Sequence, residues 1–222
     1  MIQSLLFDLD GTLADTAPDL GAAINRLLDE EGRSPLDLDL FRLHAANGSR
    51  GLLGLAFNIA PGDPRYDEMQ QRFFAHYEET LCCNTSLFPG VMDLLRALDA
   101  RSLPWGIVTN KPQRFTLPLT RTLGLQHAAC IISGDSAGQP KPSPLPLLLA
   151  CQTAGMQVEK TLYIGDDPRD IIAGRAAGMR TIAAAYGYVG SHSPVTTWHA
   201  DAIVFHPLEI LSVIQSFGLN FY

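Results

Sequence analysis

"LLFDLDGTLADT" spans residues 5–16 and ends an apolar run on two aspartates, Asp8 and Asp10, with Gly11-Thr12 directly behind them. A short apolar run closed by a turn signal reads as a buried strand. Alternation at the strand end sends Asp8 and Asp10 toward one face, so two like charges meet in one crevice.

Further short apolar runs follow: "PWGIVT" (104–109), "ACIIS" (129–133), "TLYIG" (161–165), "RTIAAA" (180–185) and "DAIVF" (201–205). With helical stretches between them they predict a parallel sheet, an α/β Rossmann-like core. The first two strands are separated by roughly a hundred residues, far more than one crossover helix needs. An inserted helical cap domain at residues 15–83 accounts for the excess, leaving 1–14 and 84–222 as the core domain. Within the insertion, Ala17–Glu31 carries Leu20, Ile24, Leu27 and Leu28 on one helical face, "GLLGLAFNIA" is apolar, and Tyr66–Leu81 repeats Phe73, Phe74 and Tyr77. The chain re-enters the core near "SLFPGVMDLLRALDARS", with Pro89 at a helix start and Leu94, Leu95 and Leu98 as its buried stripe.

At 222 residues, 46% hydrophobic and 18% charged, the chain can build one large domain or a core carrying a smaller one. A net charge of -7 without any run of Lys or Arg argues against nucleic acid or an anionic membrane as the main partner. "MIQSLL" lacks the charged start and long apolar stretch of a signal peptide, so a cytoplasmic protein, monomer or homodimer, is expected. Cys82, Cys83, Cys130 and Cys151 show no metal-type spacing and read as reduced thiols.

Ligands of an open α/β sheet collect at the carboxyl ends of its strands. Those ends carry Asp8-Leu9-Asp10, then Thr109-Asn110-Lys111, then Gly165-Asp166-Asp167 with Asp170 nearby, while Lys141 precedes a helix in "GQPKPSPLPLLLAC". Crowded carboxylates repel unless a cation joins them. An all-oxygen cluster suits Mg²⁺, which takes few carboxylates and keeps water or a phosphate oxygen as further ligands.

"DLDGTL", the strand ending in Thr109, Lys141 before Pro142, and "GDDPRD" together resemble the haloacid dehalogenase superfamily, phosphatase branch, in order and spacing. The chain is similar to its phosphoglycolate phosphatase group. "WGIVTNKPQRF", "KPSPLPLLLAC", "GDDPRDIIAGRAAG", "YGY" and "HPLE" resemble the branch that dephosphorylates N-acetylmuramic acid 6-phosphate. Asp167 departs from the pattern, since many members have Ser or Thr there. The resemblance implies that Asp8 attacks phosphorus to give an aspartyl-phosphate, which water then hydrolyses. It implies that Asp10 protonates the leaving alkoxide and then deprotonates that water. Thr109, Asn110, Lys141 and the amides around Leu9 and Asp10 would hold the equatorial oxygens. Asp8, Asp166 and the main-chain carbonyl of Asp10 would bind Mg²⁺, with Asp170 helping directly or through water. The implied substrate is a small phosphorylated metabolite such as 2-phosphoglycolate or N-acetylmuramic acid 6-phosphate.

Two other readings stay open. A sugar phosphomutase of the same fold would also keep Asp10; a non-catalytic binding protein would be expected to lose some of Asp8, Asp10, Lys141 and Asp166, and none is lost. In the insertion, "AANGSRGLLG" (45–54) places Asn47, Gly48, Ser49 and Arg50 at a helix start. Arg50 there either reaches a substrate carboxylate or is solvated beside a capped helix. His44, His76, His192, His199 and His206 lack ligand-like spacing, and Trp105 and Trp198 are assigned to packing.

Overall fold

Leu5, Leu6 and Phe7 are fully buried because β1 (Ser4–Phe7) runs through the middle of a sheet covered on both faces. In the computed structural model of the chain the described residues are 1–189 and 193–218, so His192 lies outside them. After β1 come β2 (Ala14–Asp15), α1 (Ala17–Glu30), α2 (Leu38–Ala45), α3 (Gly48–Phe57), α4 (Tyr66–Glu79) and β3 (Ser86–Leu87). The core continues with α5 (Val91–Asp99), β4 (Trp105–Val108), α6 (Gln113–Thr122), β5 (Ile131–Ile132), α7 (Leu145–Ala154) and β6 (Thr161–Gly165). It closes with α8 (Pro168–Ala177), β7 (Arg180–Ala184), β8 (Ala202–Val204) and α9 (Glu209–Ser216).

Among the described residues, six strands form one parallel sheet in the order β5-β4-β1-β6-β7-β8. Leu5 pairs with Trp105 on one side and Leu162 on the other. Period-2 alternation sorts β1 between two layers: Leu5 and Phe7 pack with Leu94, Leu98, Ile210 and Ile214, and Leu6 packs with Leu147, Cys151, Tyr163 and Ala173. From β1 the chain moves out to β4 and β5, then returns to start again at β6. The order therefore reverses beside β1, and that reversal opens a crevice at the strand ends.

Helices α1 to α4 build a second apolar cluster, where Leu20, Ile24, Leu27 and Leu28 of α1 meet Phe41, Leu52, Leu53, Phe73 and Tyr77, joined by Phe115 of α6 and Tyr188. Where the chain leaves and returns, β2 and β3 pair antiparallel, Ala14 with Leu87 and Asp15 with Ser86. Beside them Asp19, fully buried, accepts hydrogen bonds from Asn84 N (2.8 Å), Asn84 Nδ2 (3.2 Å), Thr85 N (3.0 Å) and Thr85 Oγ1 (2.6 Å). Two boundaries differ from expectation. Helix α5 begins at Val91 rather than at Pro89 because Gly90 has φ 88°, a left-handed conformation outside the helix. Helix α1 ends at Glu30, with Glu31 as its C-cap.

Candidate active site

A cavity of about 460 Å³ lies between the insertion and the carboxyl edge of the sheet. Asp8, Asp10, Thr109, Lys141, Asp166 and Asp170 line it from the core; Asn47, Arg50, Tyr66, Gln70 and Tyr77 line it from the insertion. The strand-end residues expected to act together are thus brought together.

Asp8 continues β1 by one residue, its N–H donating to the Ile164 carbonyl at 2.9 Å. Its Oδ1 accepts from Leu9 N at 2.7 Å and meets Lys141 Nζ at 2.9 Å. Carboxylate oxygens of Asp8, Asp166 and Asp170 lie within 4.8 Å of one another. Asp166 is held by Thr12 Oγ1 (2.8 Å) and by Tyr188 N (2.8 Å). Asp170 Oδ1 accepts from Lys141 Nζ (2.6 Å) and Tyr163 OH (3.0 Å), and its Oδ2 accepts from Asp167 N (3.1 Å). That last bond is half of a capping box, with Asp167 as N-cap of α8 accepting in return from Arg169 N at 2.8 Å. Asp170 therefore fixes the start of α8 and steers Lys141.

The electrostatics follow from burial. Asp166 and Asp170 are 1% exposed and Lys141 is 3% exposed. Burial pushes the Asp8 carboxyl up from 3.8 to about 7; Lys141 opposes the rise, while Asp170 and Asp10 add to it. Asp166 is pushed well above its usual range by burial and by the charges of Asp8 and Asp170. Burial would lower Lys141, but Asp170 and Asp8 outweigh it and hold the ammonium above its ordinary value. One ammonium among three carboxylates leaves an excess of negative charge on hard oxygen donors. A divalent oxygen-seeking cation fits that donor set.

Glycine makes the crowding possible. Gly11 has φ +84°, and a Cβ there would stand 2.0 Å from Asp166 Oδ2; a Cβ on Gly165 would stand 2.3 Å from Asp170 Oδ2.

Asp10 stands apart from the three-carboxylate cluster. Its Oδ1 accepts from Lys111 Nζ (2.9 Å) and Thr16 Oγ1 (2.6 Å), so its side chain is engaged with the neck of the insertion. Thr109 is buried and its Oγ1 accepts from Lys111 N at 3.1 Å. The Asn110 side chain is spent on Lys141, donating to the Lys141 carbonyl at 2.9 Å and accepting from Lys141 N at 2.8 Å. Only its main chain is left to face a ligand. Leu9 likewise buries its side chain in the core and offers its backbone. Arg50 sits exposed in the first turn of α3, with Asn47 as N-cap. Among the described residues its guanidinium makes no hydrogen bond or ion pair.

Sequence reasoning assigned no role to Lys111 or Tyr188. Lys111 is 9% exposed and held above its ordinary value, burial lowering it and Asp10 and Tyr77 raising it by more. Its ammonium lies 4.6 Å over the Tyr77 ring. Tyr188, in the "YGY" stretch, accepts from Ala17 N at 2.8 Å and donates to Asp15 Oδ1 at 2.7 Å, tying the Asp166 loop to the neck.

A buried carboxylate beside an ammonium, a second carboxyl two residues on, and oxygen donors for a dication are the parts needed to move a phosphoryl group. Known proteins agree. The chain is 39% identical over 216 residues to an N-acetylmuramic acid 6-phosphate phosphatase from Pseudomonas putida, covering 97% of each. It is 40% identical over 210 residues to a phosphoglycolate phosphatase from Xanthomonas campestris pv. campestris, covering 94% of each. A crystal structure of a predicted phosphoglycolate phosphatase from Haemophilus somnus superposes with a TM-score of 0.84 at 28% identity, covering 96% of this chain and 98% of that one. The family model for haloacid dehalogenase-like hydrolase matches residues 5–184. With that span of the chain matched and the strand-end carboxylates converging as they do, this chain belongs to the haloacid dehalogenase-like hydrolase family.

Proposed function

We propose that the chain hydrolyses the phosphate ester of a small phosphorylated metabolite in a Mg²⁺-dependent reaction with an aspartyl-phosphate on Asp8. The convergence of Asp8, Asp166 and Asp170 around Lys141, with Asp10 two residues beyond the nucleophile, is the observation that carries this reading. Asp8 Oδ1 already holds Leu9 N and Lys141, which leaves Oδ2 as the attacking atom. Asp10 Oδ1 already holds Lys111 and Thr16, which leaves its Oδ2 to protonate the leaving alkoxide and then to take a proton from water. Thr109, Lys141 and the main-chain amides of Leu9, Asp10 and Asn110 hold the equatorial oxygens. Asp8, Asp166 and the Asp10 main-chain carbonyl would hold Mg²⁺, with Asp170 helping directly or through water. When bound, the ion offsets the negative charge that phosphate and carboxylates share.

Residues 15–83 act as a cap that selects the leaving group, because the core residues grip only the phosphoryl group that all candidate esters share. N-acetylmuramic acid 6-phosphate and 2-phosphoglycolate are the proposed substrates, supported by the names of the two relatives. Arg50 is proposed to meet the carboxylate that both carry. A cytoplasmic location, as a monomer or homodimer, completes the proposal; the four free cysteines fit a reducing compartment. A panel of phosphate esters, assayed with Mg²⁺ and then with excess chelator, tests the reading. Hydrolysis that disappears with chelation and returns with Mg²⁺ is expected. Full hydrolysis in chelator would overturn it.

A further inference from the structure

A second cavity of about 570 Å³ adjoins the first, and Asn47, Arg50 and Arg169 line both. These residues partition the catalytic cavity from the outer one. Arg169 belongs to α8 in the core, yet its Nη2 donates to the main-chain carbonyl of Ala46, in the turn between α2 and α3. Nε donates to Asp167 Oδ1 at 2.7 Å, and the same Nη2 also donates to Asp167 Oδ2 at 3.0 Å. Asp167 is itself the N-cap of α8. The guanidinium is therefore forked onto a carboxylate that is fixed at the helix start, next in the chain to Asp166.

We propose that Arg169 is a positioning residue, a clamp that holds the α2–α3 turn over the catalytic cavity, with Asp167 fixing the clamp's orientation. The Ala46 carbonyl is the link immediately before Asn47, Gly48, Ser49 and Arg50, so holding it sets where those groups face the leaving portion of a substrate. The fork makes the reach possible. Free Arg carries large rotamer entropy, and a bidentate carboxylate removes that freedom before the cross-bond forms. Ser or Thr at position 167 would still cap α8 but has no second oxygen for the fork, which gives the Asp at this position a role beyond capping. The Asp19 contacts anchor the far side of the insertion at its neck. Arg169 supplies the corresponding tie at the cavity partition.

The kinetic part of this proposal rests on the hydrolase reading; its structural part does not. The test compares R169A, D167S and the double variant with the full-length parent. Hydrogen exchange of amides in segment 44–50 should quicken by about tenfold in each single variant, with the double no faster than R169A alone, because both remove one clamp. KM for N-acetylmuramic acid 6-phosphate should rise by roughly fivefold in both with a smaller change in kcat, as expected for lost positioning. R169K keeps the charge but not the fork, and should resemble R169A. Unchanged exchange in R169A, or effects of the two substitutions that add, would overturn the clamp. Should the parent hydrolyse no ester while exchange still follows the clamp pattern, the clamp stands and the hydrolase reading falls.

Discussion

Lys141 brings one positive charge to three carboxylates, and burial holds two of them, Asp8 and Asp166, above their ordinary range. A carboxyl raised in the folded state costs stability once it ionises. For Asp8 the cost is absent below 3.8, builds as pH rises toward about 7, and is complete above that. A dication pairs with the ionised form, so protons and Mg²⁺ compete for the same oxygens. Mg²⁺ should therefore raise Tm more at about pH 8 than at about pH 5, and equal shifts at both would contradict this charge balance. Lys111 offers a second test. It keeps Asp10 in place through a 2.9 Å contact, so Lys111→Gln should lower kcat by roughly tenfold to a hundredfold and spare Mg²⁺ binding measured by thermal shift. Arg50→Ala should cost about 1.5–3 kcal/mol in kcat/KM for carboxylate-bearing esters and much less for neutral sugar phosphates. An equal loss for both kinds of ester would move the specificity role elsewhere. Asp8, Asp10, Asp166 and Lys141 were legible in the sequence because each follows an apolar strand or precedes a helix. Lys111 was visible at its strand end, but its pairing with Asp10 was not, since the two lie 101 residues apart and meet only because β4 lies beside β1.

Strand ends decide which of these groups meet, and glycine decides how closely. Residues 161–165 were readable as β6 because Leu162, Tyr163 and Ile164 form a short apolar run closed by Gly165, and all five residues prove to be buried. The missing Cβ lets the Asp170 carboxyl fold back against the strand end. Gly165→Ala should cost roughly 1–3 kcal/mol of stability and displace Asp170 and Lys141, abolishing the thermal response to Mg²⁺. A variant that still responds fully to Mg²⁺ would show that Asp170 does not order the cluster. Other elements were hidden from sequence for physical reasons. The β2–β3 ribbon has two residues per strand, too few for a period, and is made by the pairing of segments far apart in the chain. Helix α2 buries Phe41 and Ala45 but leaves Leu38, Leu40 and Leu43 partly exposed, so its apolar residues do not form one stripe. The role proposed for Asp167 depends on Arg169 reaching Ala46, a contact 123 residues apart in sequence.

At the scale of the whole molecule, core and insertion each contribute one wall of the cavity, and neither wall alone encloses it. The parallel core was legible from the spacing of apolar runs, and the length of chain between β1 and β4 marked the long helical connection that holds α1 to α4. How the walls face each other was not. That depends on the β2–β3 neck, the Asp19 contacts and Phe74 of α4 packing 5.3 Å from Phe115 of α6, none of which leaves a periodic trace. The arrangement puts the proposed nucleophile in the shared crevice, with Asp10, the proposed acid, and the residues proposed to select the leaving portion lining the same cavity. Its central claim is that Asp8 carries the phosphoryl group during turnover. Asp10→Asn should slow breakdown of that intermediate, because the carboxyl that activates water is gone. Acid quenching of Asp10→Asn during incubation with Mg²⁺ and N-acetylmuramic acid 6-phosphate or 2-phosphoglycolate, followed by peptide mass spectrometry, reads the site directly. One phosphoryl group on Asp8, absent when Asp8→Asn is added, is the result expected; phosphate on another residue, or turnover that survives Asp8→Asn, would contradict it.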